Sequence, residues 1–189
     1  MNIAVIGSGG REHSICFKLK QSKQTNKIFC IPGNAGTSAI AENINIDVLN
    51  FKSISEFLKN NNIKIVFVGP EVPLVKGIKD YLEKKGFFVF GPSKAASRLE
   101  KSKSFTKQLC KKYKIPTAQY KSFSSMKGVK EYIKKMNTPI VIKADGLASG
   151  KGVFICNNKN EALQKCKEIN QGKFKSSKKF VIEEFLSGE

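Results

Sequence analysis

Two glycine-rich stretches flanked by basic residues carry the chemistry in this sequence. The first, Gly7-Ser8-Gly9-Gly10-Arg11-Glu12-His13, follows the apolar run Ile3 to Ile6, read as a strand, and is expected to open a helix. At such a position backbone N–H groups and the helix dipole can hold an anion. Arg11 adds a planar guanidinium suited to bidentate contact with phosphate. The stretch falls short of the dinucleotide fingerprint. Glu12 stands where a third glycine permits close packing of helix on strand, and the second apolar run ends in Cys30-Ile31-Pro32 with no acidic residue for ribose hydroxyls. A tight turn without a ligand is the alternative. His13, the only histidine, is read as a hydrogen-bonded structural residue rather than a base.

The second stretch is Lys143-Ala144-Asp145-Gly146-Leu147-Ala148-Ser149-Gly150-Lys151-Gly152-Val153. Its glycines and small residues suit a loop that folds over a ligand and lines phosphate oxygens with N–H groups, between Lys143 at its start and Lys151 inside it. It is not a P-loop, because Gly152 follows Lys151 where that motif requires a hydroxyl for magnesium. A glycine-rich hairpin turn is the alternative.

The elements that must position these loops read as two units. Up to about residue 100, the apolar runs Ile3 to Ile6, Ile28 to Ile31, Ile65 to Val68 and Phe87 to Phe90 alternate with stretches of helical spacing around Glu56 to Leu58 and Val75 to Leu82. That alternation predicts an α/β unit, a parallel sheet covered by helices. After Gly91-Pro92 the spacing predicts a helix over 93–113, and the boundary is placed near Glu100. In the second unit, 101–189, Met126 to Met136 and Ala162 to Ile169 keep helical spacing. There Ile140 to Ile142, Val153 to Ile155 and Phe180 to Ile182 read as strands.

Composition excludes several classes. The 189 residues are 40% hydrophobic and 26% charged, with no apolar run near the roughly 18 residues of a membrane helix. The five scattered cysteines include no C-x-x-C pair, so neither a disulfide framework nor a zinc site is expected, and a reducing cytoplasm fits. The formal charge of +19 raises nucleic acid as a partner, but the lysines are spread along the whole chain, which favours solvated faces over a binding stripe.

Taken together, Gly9-Gly10-Arg11-Glu12-His13, Pro32-Gly33-Asn34-Ala35-Gly36-Thr37 and Gly69-Pro70-Glu71-Val72-Pro73-Leu74-Val75 resemble, in order and spacing, the loops of the phosphoribosylamine–glycine ligase family. The resemblance extends over essentially the whole chain and implies a Rossmann-like amino-terminal domain, 1–100, followed by the small α+β subdomain of an ATP-grasp fold. In the family the first three loops surround phosphoribosylamine. Carried over, this assigns Gly9, Gly10, Arg11, Asn34, Gly36, Pro70 and Glu71 to that substrate, with an exposed turn carboxylate as the alternative for Glu71.

The stretch Lys143 to Val153 resembles the phosphate-covering loop of ATP-grasp enzymes. Leu99 to Lys107 resembles the start of that region, with Lys103 reaching the nucleotide phosphates or, alternatively, an exposed helix lysine. Val181 to Leu186 resembles the hinge strand whose backbone recognises adenine. ATP is thereby expected at Lys103, Lys143, Gly146, Ser149, Gly150, Lys151, Gly152, Glu183, Glu184, Phe185 and Leu186, with Lys143 and Lys151 as the catalytic pair. Ser8, Ser149 and Lys101 depart from the family's commoner residues, and none removes a phosphate ligand.

The implied reaction transfers a phosphoryl group from ATP to the carboxylate of glycine. The amine of phosphoribosylamine then attacks the acyl phosphate to give glycinamide ribonucleotide in purine synthesis. Such a step needs positioning and charge neutralisation more than a nucleophilic side chain. The ligands for Mg2+ are expected beyond Glu189, and the chain alone is expected to bind ATP weakly without turnover. The competing readings are another ATP-grasp carboxylate–amine ligase and a noncatalytic nucleotide- or nucleic-acid-binding module.

Overall fold

The computed structural model describes residues 1–148, 151–174 and 177–188. The chain divides into two compact units, Met1–Ser97 and Arg98–Glu189.

In the first unit the expected apolar runs form strands. The elements are β1 (Asn2–Gly7), α1 (Gly10–Lys20), β2 (Ile28–Pro32), β3 (Glu42–Asn43), α2 (Phe51–Asn60), β4 (Ile63–Val68), α3 (Glu71–Lys76), α4 (Ile78–Glu83) and β5 (Phe88–Phe90). The strands make one sheet in the order β3-β2-β1-β4-β5, every pair parallel. Reversal of strand order about β1 brings the carboxyl ends of β1, β2 and β4 side by side, where open α/β sheets bind ligands. On one face Ile54 and Leu58 of α2 and Ile78 and Leu82 of α4 pack on Ala4, Ile6, Phe29, Ile31 and Val66. On the other, Ile15, Cys16 and Leu19 of α1 cover Val5, Ile28 and Cys30. Strands buried on both faces explain apolar runs without alternation. The two-residue β3 had no such run and was not expected. The helical spacing of Val75 to Leu82 is interrupted at Gly77, whose φ of 97° ends α3 and starts α4.

The second unit contains α5 (Arg98–Lys101), α6 (Lys103–Lys112), β6 (Tyr120–Phe123), α7 (Val129–Lys134), β7 (Ile140–Ala144), β8 (Val153–Cys156), α8 (Lys159–Asn170) and β9 (Phe180–Glu184). Its sheet runs β6-β9-β7-β8 with antiparallel pairs. Val129 and Ile133 of α7 and Ala162, Cys166 and Ile169 of α8 bury one face against Ile140, Ile142, Phe180 and Ile182. Val141 lies directly opposite Glu183. Because side chains alternate along a strand, Val141, Lys143, Val181 and Glu183 share the other face.

The helix expected over 93–113 is corrected to the short α5 and the longer α6. Ser102 breaks it by adopting an extended conformation, φ −134° and ψ 110°, and its hydroxyl caps α6 by accepting from the Phe105 N–H at 3.1 Å. The helix suggested by Met126 to Met136 is shorter, because Gly128 at φ 74° opens α7 only at Val129.

Candidate functional site

In the first unit, the loops after β1, β2 and β4 are tied together by their own polar groups. Arg11 donates from Nη1 to the carbonyl of Gly69. Asn34 donates from Nδ2 to the carbonyls of Ser8 at 2.9 Å and Gly9 at 3.4 Å, and its Oδ1 accepts from the Thr37 N–H at 2.9 Å. Thr37, fully buried, fixes the loop further by accepting from the Asn34 N–H at 2.7 Å and donating to Asn43 Oδ1 at 2.7 Å. Gly36 lies under His13, and a Cβ there would sit 2.8 Å from the imidazole. Beside these contacts is a cavity of about 480 Å³ lined by Gly7 to Glu12, Pro32, Asp47, Val48, Pro70 and Glu71. Pro70 caps α3 in an extended conformation and Glu71 begins that helix. A larger cavity of about 570 Å³ lies at the opposite, amino end of β4, between Lys59, Lys64 and Lys85, away from the glycine loop.

Glu12 has a role that the sequence pattern did not disclose. Its carboxylate is buried and accepts from the Gly9 N–H at 2.6 Å, so it occupies one of the helix-terminal donors that an external phosphate would use. The spacing of the pair, cap residue and glutamate three positions later, is that of a capping box. Its side chain lies directly on the backbone of Gly7 and Gly69, where a Cβ would come within 2.6 and 1.8 Å of it. Arg11 thereby supplies the side-chain cation of this loop, and the cavity opens beside it.

In the second unit, the amino end of α6 is tied to the base of the glycine-rich stretch, which Lys143 precedes. Lys103 Nζ donates to the Gly146 carbonyl at 2.7 Å. Asp145, buried, accepts from Ser102 Oγ at 3.1 Å and from the Ser104 N–H at 3.3 Å, which fastens the start of the loop to the amino end of α6. The Ala144 N–H donates to the Gly152 carbonyl at 2.7 Å and closes the loop's neck. A Cβ on Gly152 would come within 2.7 Å of Ala148 Cβ and 3.1 Å of Ala144 Cβ, so only glycine fits there without movement. Lys151 is exposed. The expected sites at Ser149 and Gly150 lie outside the described residues.

Glu183 is 3% exposed, and its Oε2 accepts from Lys143 Nζ at 2.8 Å and lies 3.2 Å from Lys107 Nζ. Lys107 was not singled out by the sequence, although it lies one turn beyond Lys103 on the same helix. Glu184 pairs through its backbone and side chain with Gln119, its N–H donating to the Gln119 carbonyl at 3.0 Å and its Oε1 accepting from the Gln119 N–H at 2.7 Å. Phe185 and Leu186 follow the end of β9 and are exposed. Burial, with a smaller contribution from Glu184, raises the Tyr132 hydroxyl above its ordinary pKa. Among the described residues no group of three or more His, Cys, Asp or Glu side chains could hold a metal ion, and no helix is long and apolar enough to cross a membrane.

Comparison with known proteins bears on both units. The family profile described as phosphoribosylglycinamide synthetase, N domain, matches residues 1–100, and that of the ATP-grasp (A) domain of the same synthetase matches residues 101–189. A phosphoribosylamine–glycine ligase of Nostoc sp. is 45% identical over 192 residues, covering 100% of this chain and 45% of the relative. The crystal structure of phosphoribosylamine–glycine ligase from Thermotoga maritima superposes with a TM-score of 0.80 at 33% identity, covering 100% of this chain and 45% of that one. A biotin carboxylase domain from Hydrogenobacter thermophilus, solved with MgADP, ADP and bicarbonate, shares the fold at a TM-score of 0.74 and 17% identity, over 98% of this chain and 44% of that one. The chain thus spans a little under half the length of the relatives it matches.

Proposed function

Because the chain belongs to the phosphoribosylglycinamide synthetase family, we propose that it forms the phosphoribosylamine-binding domain and the first part of the ATP site of a cytoplasmic ligase. That ligase joins glycine to 5-phosphoribosylamine at the expense of ATP. The observation that carries this reading is the placing of two lysines beside the glycine-rich stretch, Lys103 with its Nζ on the Gly146 carbonyl and Lys143 just before the Ala144–Gly152 neck with its Nζ on Glu183.

The donor set fits a nucleoside triphosphate. Lys103 and Lys143 supply cations, and the loop supplies N–H groups over which the β- and γ-phosphates would lie. Lys151, exposed, would add a third cation for the same phosphates. Adenine then lies at the end of β9, against Glu183 and the backbone of Glu184 to Leu186. Mg2+ supplies further charge neutralisation when bound with ATP, and the described residues contain no cluster of side chains to hold it. Lysines and backbone amides stabilise charge that grows as the phosphoryl group moves to the glycine carboxylate, and no protein nucleophile is needed. In the first unit, the cavity beside Arg11 would take the phosphate and ribose of phosphoribosylamine. Asn34 and Gly36 would hold the neighbouring loop in register, and Glu71 would face the ribose hydroxyls.

The test is a pair of substitutions in the protein extended to the length of its relatives. Lys143→Ala is expected to raise the KM for ATP at least about tenfold, the scale of one lost charge-assisted contact. Arg11→Ala is expected to raise the KM for phosphoribosylamine and leave that for ATP unchanged. The reverse pattern would exchange the roles of the two glycine loops, and no change in either would remove both residues from the site.

A further inference from the structure

The carboxylate of Glu183 is served unequally by its two lysines. Lys107 is buried at 8% exposure and is itself held in place: its Nζ donates to Thr117 Oγ1 at 2.7 Å and to the Ala118 carbonyl at 3.3 Å, and it lies 3.2 Å from Glu183 Oε2. Its charge also faces the Tyr120 ring at 5.4 Å from the centroid. Lys143 reaches the same oxygen with 29% of its side chain exposed, against 10% for Lys107. The other oxygen, Glu183 Oε1, is buried and finds no hydrogen-bond partner among the described residues.

We infer that Lys107 is a positioning residue, the standing counter-ion of Glu183 that frees Lys143 to leave the carboxylate for the nucleotide phosphates. The inference rests on the nucleotide reading above and adds a residue to it. A phosphate ligand can draw Lys143 away only if the buried carboxylate keeps a cation, because a buried charge left without a partner is strongly unfavourable. Lys107 meets that need without moving, since two neutral acceptors and the aromatic face already fix it. It also holds the carboxylate in place through Oε2. Lys107 itself touches no substrate.

A double-mutant cycle in the protein extended to the length of its relatives tests this, with ADP titrated calorimetrically as the probe. Lys107→Met is expected to weaken ADP binding about tenfold or more, since Lys143 must then stay on Glu183, whereas Lys107→Arg, which keeps the charge, should remain within about threefold of the parent. In the Glu183→Gln background the same Lys107→Met change should cost less than about twofold, because no carboxylate is left to be stranded. A loss as large in that background as in the parent would mean that Lys107 acts only on general stability, and would overturn the inference. So would Lys107→Met binding ADP like the parent. If Lys107→Met does not fold, the Lys107→Met/Glu183→Gln protein must, and its failure would count against the inference equally. A parent protein with no saturable ADP binding would overturn the nucleotide reading and this inference together, an outcome distinct from the others.

Discussion

Glu12 fills with a carboxylate the place that the dinucleotide fingerprint keeps for glycine, and the backbone around it has adapted. Gly69 is the tightest point, since a Cβ there would stand 1.8 Å from Glu12 Oε1. Gly69→Ala must therefore displace the buried carboxylate or shift the loop after β4, and is expected to cost about 1–3 kcal/mol, measured by urea unfolding. An unchanged unfolding midpoint would mean that Glu12 rearranges freely. The cysteines give a second prediction at this scale. Cys16, Cys30, Cys156 and Cys166 are buried and Cys110 is partly exposed. Burial pushes the Cys156 thiol up to about 11 and the Cys166 thiol up to about 12. Cys30 is lowered, chiefly by the hydrogen bond from Cys16, yet it has no exposed surface, so access and not acidity governs its reactivity. Thiol labelling of the native chain at pH 8 should modify Cys110 first, and the other four only on unfolding. Early loss of Cys30 would contradict that packing.

Among the elements, the joint at Ser102 connects local structure to the site. Its extended backbone ends α5, its hydroxyl caps α6, and the same hydroxyl donates to Asp145 at the root of the glycine-rich loop. Ser102→Ala is expected to lower stability by about 1 kcal/mol, the usual value of such a cap. It should also raise the KM for ATP, because Lys103 is the first residue of the helix it caps. A stability loss with no change in KM would separate the cap from the site. The long buried strands and α2 and α8 were legible because apolar runs and helical spacing record burial directly, and α1 because a glycine loop follows a strand. The break at Ser102 was not, since a serine inside a periodic stretch reads equally as surface. The two-residue β3 pairs with β2 through backbone alone and leaves no side-chain pattern. Within the candidate site, the glycine loops and Lys143 stood out by type and spacing, and Lys103 only through the family resemblance. Lys107 did not, because its role depends on Glu183, 76 residues away, and the packing of Glu12 on Gly69, 57 residues away, was likewise hidden, although its contact to Gly9 is local.

For the whole molecule, the two units have separate cores and each is matched by its own family profile, and the proposed function divides the binding of amine substrate and nucleotide between them. The charge of +19 is spread over the sequence, and the proposed function uses only a few of the lysines. The central claim is most directly tested by incubating the protein, extended to the length of its relatives, with ATP, Mg2+, glycine and phosphoribosylamine and following both products by mass spectrometry. The account predicts equal amounts of ADP and glycinamide ribonucleotide, formation that requires glycine and phosphoribosylamine together, and its loss in Lys143→Ala. ADP formation driven by another carboxylate or by bicarbonate in place of glycine would contradict it, as would turnover indifferent to Lys143.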